Sequence, residues 1–192
     1  LIVVEGARGK SEQAYFQLLN QELRGNATVL SLQVEPGAGE PSRVLKACRN
    51  KTTEQEKRAE NGEPAYDARF IVVDRDDHGT LERVLQECES EQIHGIVTNP
   101  KFELWLLWHK DEQRASIDGA QLDWRVRDLH LVEGRNGKEL AKGFEIKNYK
   151  PAMERAQKAW PKLVDNRVGP NPSSAIAWMI EEIVKLASLD KK

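Results

Sequence analysis

The chain has 192 residues, 39% of them hydrophobic and 31% charged, with a formal net charge of −2. That balance describes a globular protein with room for one sizeable core, and it excludes a disordered chain. No apolar run approaches the ~20 residues needed to cross a bilayer, no signal peptide is visible, and the net charge carries no global signature of nucleic-acid binding.

Leu1 stands inside an apolar run without a leading Met, and a segment upstream of it is expected. Leu1 to Val4 reads as a buried strand ending at Glu5-Gly6. Ser11 then caps a helix to about Arg24, with Tyr15, Leu18, Leu19 and Leu23 on one face. Thr28 to Val34 alternates as a half-exposed strand, Pro36 to Pro41 as a turn, and Ser42 starts a helix through Val44, Leu45 and Cys48. That helix fades into the charged stretch Lys51 to Glu63. Phe70 to Val73 is an unbroken apolar run closed by Asp74, which reads as a strand buried on both faces. Gly79-Thr80 opens a helix with Leu81, Val84, Leu85 and Cys88 inward, and Ile93 to Thr98 is another strand. Asn99 is expected to cap the next helix, with Pro100 at its first position.

This β-α-β-α-β-α-β-α order predicts an α/β fold with a mostly parallel sheet flanked by helices, over 1–111. From about 112 onward no convincing strand is visible. Helices are predicted near 118–133, 151–166 and 173–189, with Gly134 to Tyr149 as a loop, so 112–192 reads as a helical extension packed on the core. Cys48 and Cys88 fall on apolar helix faces without ligand spacing, which predicts core thiols in a reducing, cytoplasmic compartment. Residues 1–100 carry 12 Lys+Arg against 17 Asp+Glu, and 101–192 carry 17 against 14. The asymmetry suits an acidic metal site beside a basic substrate-holding surface.

Ligands of open parallel sheets bind outside the carboxyl ends of the strands. Here the strand ends carry Glu5, the pair Asp74 and Asp76, and Asn99 with Glu103 nearby. Asp74 and Asp76 project to one side in extended chain. Their repulsion is relieved by a hard cation such as Mg²⁺ or Mn²⁺; equally, Asp-Arg-Asp-Asp-His-Gly is a polar turn capping the next helix. Glu5, crowded by the aspartates, suits a general acid or base. The reading requires Glu5 to face the aspartates, with no lysine filling the space between. Gly6 to Ser11 imitates a P-loop, but only two residues separate its glycines where four are needed, too few to wrap a triphosphate. Arg8 and Lys10 either touch a substrate phosphate or are solvated. Phe102, Trp105, Leu106 and His109 share one helical face and read as core, His109 as a hydrogen-bonded core histidine. Glu103 lies off that face in the first turn, where a carboxylate gains from the helix dipole. His78 reads as a turn residue or a ligand.

Val3-Val4-Glu5-Gly6 with Val72-Val73-Asp74-Arg75-Asp76 resembles the Glu and Asp-x-Asp signature of Toprim domains, found in topoisomerases, primases and overcoming-lysogenization-defect nucleases. Thr98 to His109 and Asn171-Pro172-Ser173-Ser174 extend the resemblance, over 1 to about 187, to the RloB-like proteins of bacterial restriction and phage-defence loci. The resemblance implies a metal-dependent nuclease site with Glu5 as acid/base or ligand, Asp74 and Asp76 as Mg²⁺ or Mn²⁺ ligands, and Glu103 as a further acid. It also implies an ABC-type ATPase partner. Lys147, Tyr149 and Lys150 fall where the family tends to be basic and aromatic, and either hold a phosphate or are solvated. The chain departs from the pattern in being about two residues longer between Gly6 and Glu12.

Three functions follow in order: a Toprim nuclease cleaving DNA or RNA in antiviral defence, a non-catalytic module binding nucleic acid or an ATPase, and a small NTPase, which the short glycine loop disfavours.

Overall fold

The structure is a computed structural model and describes residues 1–26, 32–36, 39–75, 79–134 and 136–189. The predicted apolar runs form β1 (Ile2–Val4), β3 (Phe70–Asp74) and β4 (His94–Asn99), and the predicted helices form α1 (Ser11–Asn26), α2 (Pro41–Ala59) and α3 (Leu81–Ser90). With β2 (Val34–Pro36) and β7 (Ser173–Ser174) the described strands make one sheet in the order β2-β1-β3-β4-β7, parallel but for β7. The α/β fold with a mostly parallel sheet is therefore as expected.

Side chains alternate across a strand, and this divides the core in two. Ile2, Val4, Phe70, Val72 and Ile96 join Tyr15, Phe16, Trp105, Trp108 and Ile180 on one face. Leu1, Val3, Ile71, Val73 and Val97 join Val44, Leu45, Val84, Leu85 and both cysteines on the other. Cys48 and Cys88 are free and buried, as expected. Among the described residues no helix is long and apolar enough to cross a membrane.

The C-terminal part departs from its reading. The predicted helix over 118–133 stops early, as α5 (Gly119–Asp128), and its last residues instead form β5 (Val132–Glu133). That strand pairs antiparallel with β6 (Glu139–Leu140) inside the stretch expected to be loop. A 3-10 turn (Ile146–Asn148) leads into α6 (Tyr149–Ala159). The last helix, α7 (Ile176–Leu189), starts three residues late because Ser173 and Ser174 pair with Asn99 and Thr98. Two-residue strands carry no local period, and the Thr98 Oγ1 to Ser174 Oγ bond of 2.8 Å spans 76 positions. Near the other edge, the expected strand over Thr28 to Val34 overlaps 27–31, outside the described residues, and Pro36 belongs to β2 rather than a turn. An edge strand tolerates proline's missing donor.

Asn99 does not cap a helix. It ends β4, and its Nδ2 donates to the Gly169 carbonyl at 2.9 Å. The helix that follows, α4 (Glu103–Lys110), is buried along 103–109 rather than on one face, because α5, α6 and the sheet surround it. His109 is the expected core histidine: its Nδ1 faces the Trp105 carbonyl at 3.0 Å and its Nε2 the Tyr15 hydroxyl at 3.3 Å. This link fastens α4 to α1.

Burial pushes the His109 pKa down to about 4, while an unfolded histidine protonates near pH 6.5. Between those values the unfolded chain binds the extra proton, so acid favours unfolding. Stability is expected to fall by on the order of 3 kcal/mol as pH drops from about 6.5 to about 4. Urea unfolding across this range, with His109→Gln losing that part of the slope, measures it.

Candidate functional site: a carboxylate cluster at the sheet edge

The chain leaves β1 through α1 on one face of the sheet, reaches β2, and returns through α2 on the other face to β3, on the far side of β1. The carboxyl ends of β1 and β3 thus border a switch point, where open α/β sheets leave a crevice. Glu5 follows β1; its amide donates to the Val72 carbonyl at 3.0 Å, continuing the ladder past the strand end. Its Oε2 accepts the Asp74 amide at 2.9 Å. Asp74 closes β3, and its Oδ1 accepts the Phe102 amide at 2.8 Å. Asp74 therefore takes the place expected of Asn99, receiving an amide at the mouth of α4 from a neighbouring strand. The helix dipole favours a carboxylate there. Glu103, in the first turn of α4, is 4% exposed.

A fourth carboxylate comes from the first turn of α1. Glu12 folds back over Gly6, so that a Cβ on Gly6 would lie 1.9 Å from Glu12 Oε2. Gly6 is needed for this approach and not for its backbone angles.

Asp74 carries the clearest electrostatic consequence. Burial raises its pKa well above the ordinary aspartate value, Glu103, Glu12 and Glu5 raise it further, and the Phe102 amide opposes them. Burial also raises Glu12, with Glu103 adding to the rise and Lys138 opposing it. Lys138 stands just before β6, its Nζ 3.7 Å from Glu103 Oε1 and its side chain 52% exposed. It meets Glu103 from the solvent side, while Glu5 meets the backbone of Asp74.

The structure places Glu5, Asp74 and Glu103 at one edge of the sheet. Asp76 and His78 lie outside the described residues. Arg8 is exposed, and Lys10 pairs with Glu139 at 3.9 Å. Lys147 and Lys150 are exposed on the 3-10 turn and the start of α6, Lys150 Nζ lying 6.0 Å from the Tyr149 ring centroid, and no ion pair joins them to the carboxylates among the described residues. Glu12 and Lys138 escaped the sequence reading. Glu12 looked like an ordinary first-turn acid; the signal was a glycine six residues ahead, at a strand end. Lys138 depends on a hairpin that the sequence did not announce, anchored to α1 where the Ser11 amide donates to its carbonyl at 3.0 Å.

Oxygen donors of this kind suit Mg²⁺ or Mn²⁺. Among the described residues no three His, Cys, Asp or Glu side chains stand close enough to hold one ion. A cation at this edge would therefore be held by one or two carboxylates and completed by water or phosphate, as Mg²⁺ often is.

The family model described as RloB-like protein matches residues 1–183, and the chain belongs to the RloB-like family. No curated protein and no solved structure matches it.

A raised aspartate stabilises the fold below the unfolded pKa and loses that contribution as pH rises through the folded value. Asp74→Asn keeps an oxygen for the Phe102 amide and removes the charge. It is expected to stabilise the metal-free protein at neutral pH by roughly 0.5–2 kcal/mol, a few degrees in Tm, and to flatten the decline that sets in as pH rises above the ordinary aspartate range. A thermal melt of both proteins across pH reads this; a lower Tm for the variant would show the charge to be stabilising. Gly6→Ala is expected to displace the Glu12 carboxylate and leave the fold intact.

Proposed function

We propose that this RloB-like chain is a divalent-cation-dependent nuclease of Toprim type, cleaving phosphodiester bonds of DNA or RNA in bacterial defence against phage. The observation that carries the reading is the gathering of carboxylates at the switch point of the sheet, where Glu5 accepts the Asp74 amide, Asp74 accepts the Phe102 amide and Glu12 folds over Gly6. Four carboxylates at one strand edge cost stability without a bound cation and gain a purpose with one.

Asp74 and Glu5 are the ligands we assign on this edge, and Asp76 is a third that the family resemblance implies. A bound Mg²⁺ or Mn²⁺ supplies charge neutralisation and polarisation of a phosphate oxygen. The protein's own contribution is position. The Phe102 amide fixes Asp74, and the Asp74 amide fixes Glu5. Glu5 takes up the proton of the attacking water at its carboxylate. Glu103 and Glu12 hold the field negative around that proton, and Lys138 offsets part of it toward solvent. Lys10, Arg8, Lys147 and Lys150 are the proposed backbone-holding cations, and an ABC-type ATPase is the proposed partner. Lys147, Lys150 and the ATPase rest on the family resemblance, and Arg8 and Lys10 on their place after the first strand.

A second reading is a non-catalytic module that binds nucleic acid or the ATPase. It is favoured by one observation: no three ligating side chains converge among the described residues.

A Mn²⁺ titration with single-stranded and duplex DNA and with RNA separates the two. Cleavage that needs the metal, falls at least about 100-fold in Asp74→Ala and Glu5→Gln, and leaves circular dichroism unchanged supports the nuclease. Metal is then expected to raise the Tm of the parent and not of Asp74→Ala. Cleavage surviving both substitutions would sink the assignment.

A further inference from the structure

We propose that Trp124 on α5 is a stacking platform for an unpaired nucleotide, placed beside the carboxylate edge by two separate tethers. The inference rests on the nucleic-acid reading of that edge and names its substrate as single-stranded or unpaired there.

Trp124 is 66% exposed and is the one exposed Phe, Tyr or Trp among the described residues, the others being buried or half-buried. The amphipathic pattern of α5 accounts for Leu122 and Val126, which are buried, and leaves the indole outside. Arg127 lies at i+3 on the same face and is exposed. Its Nη2 donates to the Asn136 carbonyl at 3.0 Å, and among the described residues it has no carboxylate partner, so its charge is not neutralised. Gly137, with φ of 59°, makes room for it: a Cβ there would sit 2.5 Å from Arg127 Nε.

The tethers run to the cluster from both ends of this face. Asp123, next to Trp124, pairs with Lys101 Nζ at 2.6 Å, and Lys101 directly precedes Phe102 and Glu103, the residues that meet Asp74 and complete the cluster. Arg127 grips the β5–β6 turn, and two residues beyond Asn136 stands Lys138, 3.7 Å from Glu103. An exposed indole with a guanidinium one turn away, both connected to the acidic edge, matches what holds single strands without reading sequence. There a ring stacks on any base, and cations follow the backbone. A protein partner would ask for a contiguous apolar area, whereas the ring's helical neighbours here are Ala120, Gln121, Arg127 and Asp128, all exposed.

The test is the anisotropy of labelled oligothymidylate, oligouridylate and a blunt duplex, titrated with full-length protein in Ca²⁺ and again in EDTA. Single strands are expected to bind tighter than duplex, the two single-stranded arms deciding between DNA and RNA. Trp124→Ala is expected to weaken single-strand binding about 5- to 100-fold, with Trp124→Phe staying within a few-fold of the parent. Arg127→Ala is expected to reduce the slope of log affinity against log salt by about 1. Unchanged affinity in Trp124→Ala overturns the platform, and so does a shift in sedimentation with oligonucleotide affinity intact, which would make the patch a protein contact. Because binding is read without cleavage, the two readings fail apart. An inactive parent that still loses affinity in Trp124→Ala keeps the platform, and an active parent indifferent to Trp124 loses it and keeps the nuclease.

Discussion

The amide of Phe102 donating to Asp74 is the bond on which this architecture turns. It joins the end of β3 to the start of α4, two elements 28 positions apart, and does so with a carboxylate that burial and three neighbouring acids push toward its protonated form. A buried charge is retained only where it is hydrogen-bonded or paired. Here the hydrogen bonds come from backbone amides, which cannot move, so the side chains they hold cannot relax apart. Glu5 is fixed in the same manner, by the amide of Asp74 itself. The repulsion is built into the strand ends and is set against the two apolar layers behind them. The fully buried Trp105, Trp108, Phe16 and Ile96 on one side and Ile71 and Leu45 on the other supply the compensating burial.

Much of this was legible because it is local. Phe70 to Asp74 announces itself as a strand with an acid at its carboxyl end, and a parallel topology then requires that Glu5 and Asp74 share an edge. What could not be read is what depends on long-range pairing or on empty space. Ser173 and Ser174 form a strand only because Thr98 and Asn99 lie opposite them. Asn99-Pro100 has the composition of a helix start, yet pairing with Ser173 and a bond to Gly169 hold the asparagine in the sheet. Glu12 reaches the cluster through the volume that a side chain on Gly6 would have filled, and no local pattern distinguishes such a glycine from a turn residue.

The part beyond residue 111, read as a helical addition, is knit into what precedes it. It supplies the antiparallel edge strand, and Leu122, Val126, Ala156 and Ile180 share one buried cluster with Ile2, Val4 and Phe16. Its hairpin hydrogen-bonds the start of α1, and Lys138 on that hairpin is the cation nearest Glu103 among the described residues. Lys138 of the basic half also bears on Glu12 of the acidic half, so the hairpin brings charge from one half to the carboxylates of the other.

The basic groups near Glu5 in sequence do not make a phosphate-wrapping loop. Arg8 and Lys10 follow the strand end as a P-loop lysine would, but the loop is too short to fold its amides around phosphates, and Lys10 turns to Glu139 instead. Among the described residues, Lys138 of the hairpin brings its charge to Glu103. A phosphate approaching Asp74 would find amides already committed to carboxylates and would need a cation between itself and them. On the proposed nuclease reading, such a ligand would bring or share a divalent ion, and cations of the C-terminal part would hold what lies beyond it.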